Sequence, residues 1–174
     1  MRPRLFHVSE DAGIEVFTPR PVPSPDSGVI GLAVWAVAGS HLGNYLLPRD
    51  CPRICFRAGP ATSTADAELF LGRADRVVAF EGAWLERVRT TALCVYEMPG
   101  TDFLEVVPDA GYWISRTAVN PLGVVQVADL MGALKGEGAE VRVIDDFWPL
   151  ADAVARSTLQ FSIIHKRNAR PRGG

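Results

Sequence analysis

The sequence predicts an α+β fold. Short apolar, β-branched runs recur along the whole chain, and most are closed by Gly, Pro or Asp. Helical periodicity is confined to a few short stretches, most of them late. Strands and helices do not alternate regularly, so a repeating βαβ protein with a parallel sheet is not expected.

Taken in order, residues 4–8 read as a first strand, and Ser9-Glu10-Asp11 turns the chain. Ile14, Val16 and Phe17 supply a short apolar anchor. Pro19, Pro21, Pro23 and Pro25 form a loop with Ser24, Asp26, Ser27 and Gly28. Prolines at alternate positions favour extended polyproline conformation, hence a stiff surface strap. Residues 29–37 are apolar and β-branched, which predicts a buried strand. A turn or short helix from Gly39 leads to Tyr45, residues 53–57 form the next strand, and residues 58–66 a loop. A single helical turn follows at 66–71, then a strand at 76–81 and a short helix at 84–91 with Leu85 and Val88 on one face. Residues 93–98 make a strand closed by Pro99-Gly100. Residues 103–107 and 112–115 pair as a hairpin across Pro108-Asp109-Ala110-Gly111.

Residues 124–127 read as a last core strand. Asp129 is placed to cap a helix carrying Leu130, Met131 and Leu134, which ends near Gly136. A short β-branched strand follows at 141–144. Leu150, Val154, Ser157, Phe161 and Ile164 recur at helical spacing, predicting a C-terminal helix packed on the body.

Composition narrows the function classes. A chain of 174 residues fits a single domain, 1–174, whose core needs no disulfide staples. The hydrophobic content of 48% and charged content of 22% are those of a globular protein. A net charge of −2 gives no bulk electrostatic case for nucleic acid. The basic end, 166–174, is read as a flexible solvated tail that adds little to that case. Cys51, Cys55 and Cys94 are odd in number, and a four-residue spacing without a second pair is poor for zinc. They read as reduced thiols of a cytoplasmic protein with no bound metal. No apolar segment follows the two early arginines, so no signal peptide is expected. The longest apolar run, 29–38, is too short to span a bilayer, so no membrane association is expected.

Two places carry candidate chemistry. In residues 45–56, Pro48 and Pro52 fix φ and remove backbone donors, leaving a stiff corner that aims Arg49 and Arg53. Planar guanidinium groups on a rigid loop suit phosphate or carboxylate recognition. The alternative is a structural corner whose arginines pair with Asp50 and backbone carbonyls. His7 and Ser9, two apart on a strand, share one face and suit the reading of ligand hydroxyls. The alternative there is a buried histidine satisfied by backbone. His41 and His165 are assigned no role. Trp35, Tyr45, Tyr112 and Trp113 are suited to stack on a flat ring, or to fill a core. There is no G-x-S-x-G elbow, H-E-x-x-H, Walker motif or G-x-G-x-x-G fingerprint.

Taken together, these pieces resemble the opening of ADP-ribosyltransferase-fold proteins. The resemblance rests on Leu5-Phe6-His7-Val8-Ser9, then Ile14 and Pro19, the apolar strand with Trp35, and Tyr45-Leu46-Leu47-Pro48-Arg49. Residues 45–52 are similar to the Tyr-Phe-x-Pro-Arg-x-Pro stretch of the DNA-modifying toxin branch of that superfamily. The run Tyr112-Trp113-Ile114-Ser115 through Val119, Pro121 and Val127 occupies the place of its final motif strand. The likeness covers roughly residues 5–130. The chain also resembles a small bacterial family with the same H-x-S-E and P-R-D-C-P-R elements, a likeness that implies no activity.

The superfamily likeness implies a split pair of mostly antiparallel sheets and NAD as co-substrate, with ADP-ribose passing to an unspecified acceptor. His7 and Ser9 would hold a ribose hydroxyl, and Tyr45 would line the ring pocket. Arg49 would bind the pyrophosphate or steady the departing nicotinamide, with Arg53 beside it on the corner. Breaking the N-glycosidic bond develops oxocarbenium character, which a nearby carboxylate stabilises. Where the superfamily has its catalytic glutamate, this chain has Gly111 and Tyr112. Glu105 on the preceding strand is the substitute, ahead of Glu97 and Glu10. Without such a carboxylate, the same likeness implies a non-catalytic binding domain.

Overall fold

The computed structural model describes residues 2–21 and 28–173 and is α+β, with mostly antiparallel sheets. The strands are β1 (Leu5–Ser9), β2 (Arg20–Pro21), β3 (Leu32–Ala38), β4 (Arg53–Arg57), β5 (Arg76–Glu81) and β6 (Leu93–Met98). They continue as β7 (Leu104–Val107), β8 (Tyr112–Ser115), β9 (Gly123–Val127), β10 (Ala139–Ile144) and β11 (Gln160–Ile164). The α-helices are α1 (Thr64–Asp66), prolonged by a π turn at Ala67–Leu71, then α2 (Leu85–Thr90), α3 (Leu130–Gly136) and α4 (Phe147–Ala155). No helix among the described residues is long and apolar enough to cross a membrane. The chain forms two compact units, each assembled from two stretches of sequence.

The first unit comprises Met1–Tyr45 and Ala92–Val127. Its sheet runs β7-β8-β3-β1-β6-β9, with β2 also paired to β3, and every pairing is antiparallel. Alternation sends Leu5, Val34, Ala36, Ala38, Cys94, Tyr96, Met98 and Trp113 to one face. Phe17, Phe103 and Val119 cover that face. Phe17 and Val119 exchange backbone hydrogen bonds of 2.8 and 2.9 Å, which holds the cover in place. Each large apolar side chain so buried contributes about 1.5–3 kcal/mol.

The second unit comprises Leu46–Thr91 and Ala128–Gly174. Its sheet runs β10-β5-β4-β11, in which β10 and β5 are parallel and the other pairs antiparallel. Ile54 and Phe56 of β4 and Val77 and Ala79 of β5 pack against Phe147, Ala151 and Val154 of α4. Asp146 starts α4 by accepting from the Trp148 N–H at 3.0 Å, and Asp129 starts α3 by accepting from the Gly132 N–H at 2.8 Å.

Several expectations change. The predicted C-terminal helix stops at Ala155, and the chain returns as β11 against β4. Phe161 and Ile164, spaced as a helix would space them, sit on that strand. The Ser157 hydroxyl donates to the Val154 carbonyl at 2.7 Å and closes the helix end. β9 forms where a core strand is expected, but four of its five residues are exposed. β3 begins at Leu32, later than predicted, and Ile30 is exposed. The expected proline strap is described only in part: Arg20 and Pro21 are extended against β3, and Pro23 and Pro25 lie outside the described residues.

The basic end is docked where a solvated tail was expected. Arg172 grips Asp152 through two hydrogen bonds of 2.6 and 2.7 Å. Its guanidinium lies 4.0 Å from the Trp148 ring centroid, and Trp148 Nε1 donates to the Arg170 carbonyl at 2.6 Å.

Candidate functional site

In the first unit, His7 stands where β1 parts from β3. The β1–β3 ladder holds only Leu5↔Ala38 and Phe6↔Val37, whereas β1–β6 continues to Ser9↔Cys94. Beyond Phe6 the imidazole replaces the ladder, with Nδ1 2.8 Å from the Trp35 carbonyl oxygen. A carbonyl only accepts, so Nδ1 carries the proton and Nε2 is the acceptor of the neutral ring. The ring is half-buried and tilts against Phe17, at a centroid distance of 4.7 Å.

The turn after β1 is tightly tied. The Ser9 hydroxyl accepts from the Asp11 N–H at 3.1 Å, and Asp11 Oδ1 accepts from the Gly13 N–H at 2.8 Å. The Tyr96 hydroxyl donates to the Asp11 carbonyl at 2.7 Å and accepts from the Ile14 N–H at 3.2 Å. His7 and Ser9 therefore share the Leu5 face on a stiff support.

Tyr45 lies elsewhere in this unit. Its hydroxyl donates to that of Tyr112 at 2.6 Å, and Tyr112 meets Trp35 edge-on at 5.6 Å. Tyr112 neighbours Trp113 along β8 and so points to the other face of the sheet from Leu5 and His7. Glu105 is exposed on the edge strand β7 and pairs in register with Trp113, on the same face as His7. β8 and β3 stand between β7 and β1, which separates the two backbones by about 14 Å at the usual strand spacing. Buried Ala36 and Trp113 fill the face between them.

Gly111 adopts φ +66, and a Cβ there would collide with the His41 imidazole. Gly111 therefore accommodates no side chain. Glu97 is engaged by Arg4 through two hydrogen bonds of 2.8 Å, which hold its carboxyl below the usual range. Glu10 is exposed on the turn after Ser9.

The second unit contains the corner. The Cys51 N–H donates to the Pro48 carbonyl at 2.9 Å, closing a turn with Arg49 and Asp50 exposed at its tip. Arg53 is only 2% exposed. Its Nε donates to the Cys51 carbonyl at 2.9 Å, and its Nη2 to the carbonyls of Pro48 at 3.0 Å and Arg49 at 2.9 Å. This is the structural alternative, realised at Arg53: the guanidinium is committed to holding the corner and is withdrawn from solvent, so its expected ligand contact is replaced by an architectural one.

β11 carries a further basic group to this corner, because Ile164 pairs with Arg53 and Asn168 Nδ2 donates to the Asp50 carbonyl at 2.8 Å. His165 follows β11 in the left-handed region, at φ 52. Its pKa is lowered first by burial, then by Arg53 and Arg167, with a smaller effect of Arg49, while Asp50 opposes. No local sequence signal marks His165, since its place depends on the β11–β4 pairing. Cys51 and Cys55 are buried, and burial pushes both thiols up to about 12, so neither is a nucleophile at neutral pH. Among the described residues no group of three or more His, Cys, Asp and Glu is placed to hold a metal ion.

The residues expected to form one site are therefore divided. His7, Ser9, Tyr45 and Glu105 belong to the first unit, Arg49 and Arg53 to the second. Sequence reasoning did not single out the buried indole nitrogens of Trp35 and Trp113, which lack a hydrogen-bond partner among the described residues. The chain belongs to a family of unknown function (DUF6886), whose profile matches residues 6–169. No curated protein and no solved structure matches it.

Proposed function

We propose that the protein binds a ribose-bearing nucleotide at His7 and Ser9, with NAD the first candidate. The carrying observation is the break in the β1–β3 ladder at His7. There the Trp35 carbonyl fixes the proton on Nδ1 and orients the imidazole on the face it shares with Ser9. Ser9 adds a hydroxyl on the same face, and the bonded turn behind it restrains both. The choice of NAD rests on the resemblance to ADP-ribosyltransferase-fold proteins. The three unpaired, buried thiols favour a reducing, cytoplasmic setting.

Transfer of ADP-ribose to an acceptor is the second reading, with Glu105 of the first unit as its carboxylate. It is favoured by the exposure of Glu105 on the same face as His7. The distance across β8 and β3 favours binding without catalysis.

His7→Asn separates the functional role from the structural one. Asparagine retains a donor near the Nδ1 position and can keep the bond to Trp35, but it has no group at Nε2. The variant is expected to keep its melting temperature and lose the shift that NAD or ADP-ribose causes in the wild type. Affinity should fall about 3- to 10-fold, the worth of one neutral hydrogen bond. Absence of any nucleotide-induced shift in the wild type would sink the proposal. NAD turnover that survives Glu105→Gln unchanged would remove Glu105 from the second reading.

A further inference from the structure

We infer that the outer edge of β9 is a self-association surface, on which a second copy of this chain adds its own β9 antiparallel. β9 ends the sheet of the first unit, and only β6 pairs with it among the described strands. Its exposure is unusual for an apolar strand: Val124 is 49% and Val125 65% exposed, and the preceding Leu122 is 68% exposed. No charged residue occurs from Thr117 to Ala128. An exposed strand of this kind presents a row of backbone donors and acceptors without a guard.

The other edges carry such guards. β7 has a register shift between Glu105 and Val107, and it exposes Glu105. β10 carries Glu140 and Arg142. β11 keeps all its residues but Phe161 partly buried. β2 contains Arg20 and Pro21.

The occupant follows from the chemistry of the edge. Backbone groups of a sheet edge accept a strand, and a strand without charges meets no like charge when it pairs with itself. Pairing about a two-fold axis at Val125 sets Val125 against its own copy. It also sets Val124 against Gln126 and Gly123 against Val127. Val125 lies beside Val95, so the added strand prolongs that row of apolar side chains through its own Val125. An isologous contact of this kind closes on itself as a dimer.

The test uses the full chain. Light scattering after gel filtration at high micromolar concentration should give twice the monomer mass of 18.9 kDa. Val125→Lys should halve the observed mass while leaving the circular dichroism unchanged. Val125→Cys provides a second test that does not burden the fold. Paired antiparallel residues have Cα atoms about 4.5–5.5 Å apart, within disulfide range. Cys51, Cys55 and Cys94 are buried and should not cross-link. Mild oxidation should join Val125→Cys chains in pairs and leave Leu104→Cys, on the guarded edge, unjoined. A monomeric mass for the wild type, or no cross-link through Val125→Cys, overturns the inference.

Discussion

Arg53 and Arg49 come from the same corner and have opposite fates. Arg53 is buried, and its guanidinium gathers the carbonyls of Pro48, Arg49 and Cys51. Arg53→Ala leaves those carbonyls without their donor in the interior, and Arg53→Lys cannot reproduce the planar fork. Each should cost about 2–4 kcal/mol, lowering the melting temperature by roughly 5–15 °C in a chain of this size. Arg49 is exposed, so Arg49→Ala should change stability by less than about 0.5 kcal/mol. Parallel melting curves of the two alanine variants check both statements; equal losses would contradict this division of roles.

His165 supplies the pH dependence at the same scale. Its folded pKa lies below the unfolded value, so below about pH 6.5 the unfolded chain binds the proton more readily. The stability it contributes is present above that pH and is lost as pH falls toward the folded value. Asn tolerates the left-handed backbone of His165 and does not titrate. His165→Asn should therefore flatten the fall in melting temperature between about pH 7 and pH 5. An unchanged slope would show that other groups govern that range.

At the scale of elements, the turn between β7 and β8 depends on Gly111. A side chain there meets both a positive φ and the His41 ring. Gly111→Ala should destabilise by about 1–3 kcal/mol, as measured by denaturant unfolding. A second element-scale prediction concerns the docked C-terminal end. Arg172 holds Asp152 and covers Trp148, and its hydrogen bond keeps the Asp152 carboxyl below the usual range. Exposed pairs are worth only about 0–1 kcal/mol. Asp152→Asn should barely change global stability, yet trypsin should cut after Arg172 faster. Equal cleavage rates would show that the pair does not hold the end down.

For the whole molecule, the distribution of thiols gives a simple readout. All three cysteines are free and buried, two in the second unit and one in the first. A thiol reagent at neutral pH should leave them unreacted in the native protein and reach all three on unfolding. Fast labelling of Cys94 alone would mean that the first unit opens separately. The division into two units also reshapes the search for function, because each can now be tested for ligands through its own residues.

The sequence by itself determined most of the strands and turns, though not β2 or β11. Apolar runs such as residues 76–81 and 93–98 commit locally to β structure, and Asp129 caps its helix through neighbours three residues away. It also determined that His7 and Ser9 share a face, since strand alternation is a local property. The tertiary structure alone decided the rest. A run such as 150–164 fits the helical period and then the strand period, and only pairing with β4 settles which part is which. Burial of Arg53 and exposure of Arg49 depend on where the corner carbonyls fold back. The exposure of β9 depends on its position at the end of a sheet, although its residues read as core. Periodicity reports which residues lie side by side along one element; which residues meet across elements is decided by pairing and packing over long separations, and no short window of sequence contains that information.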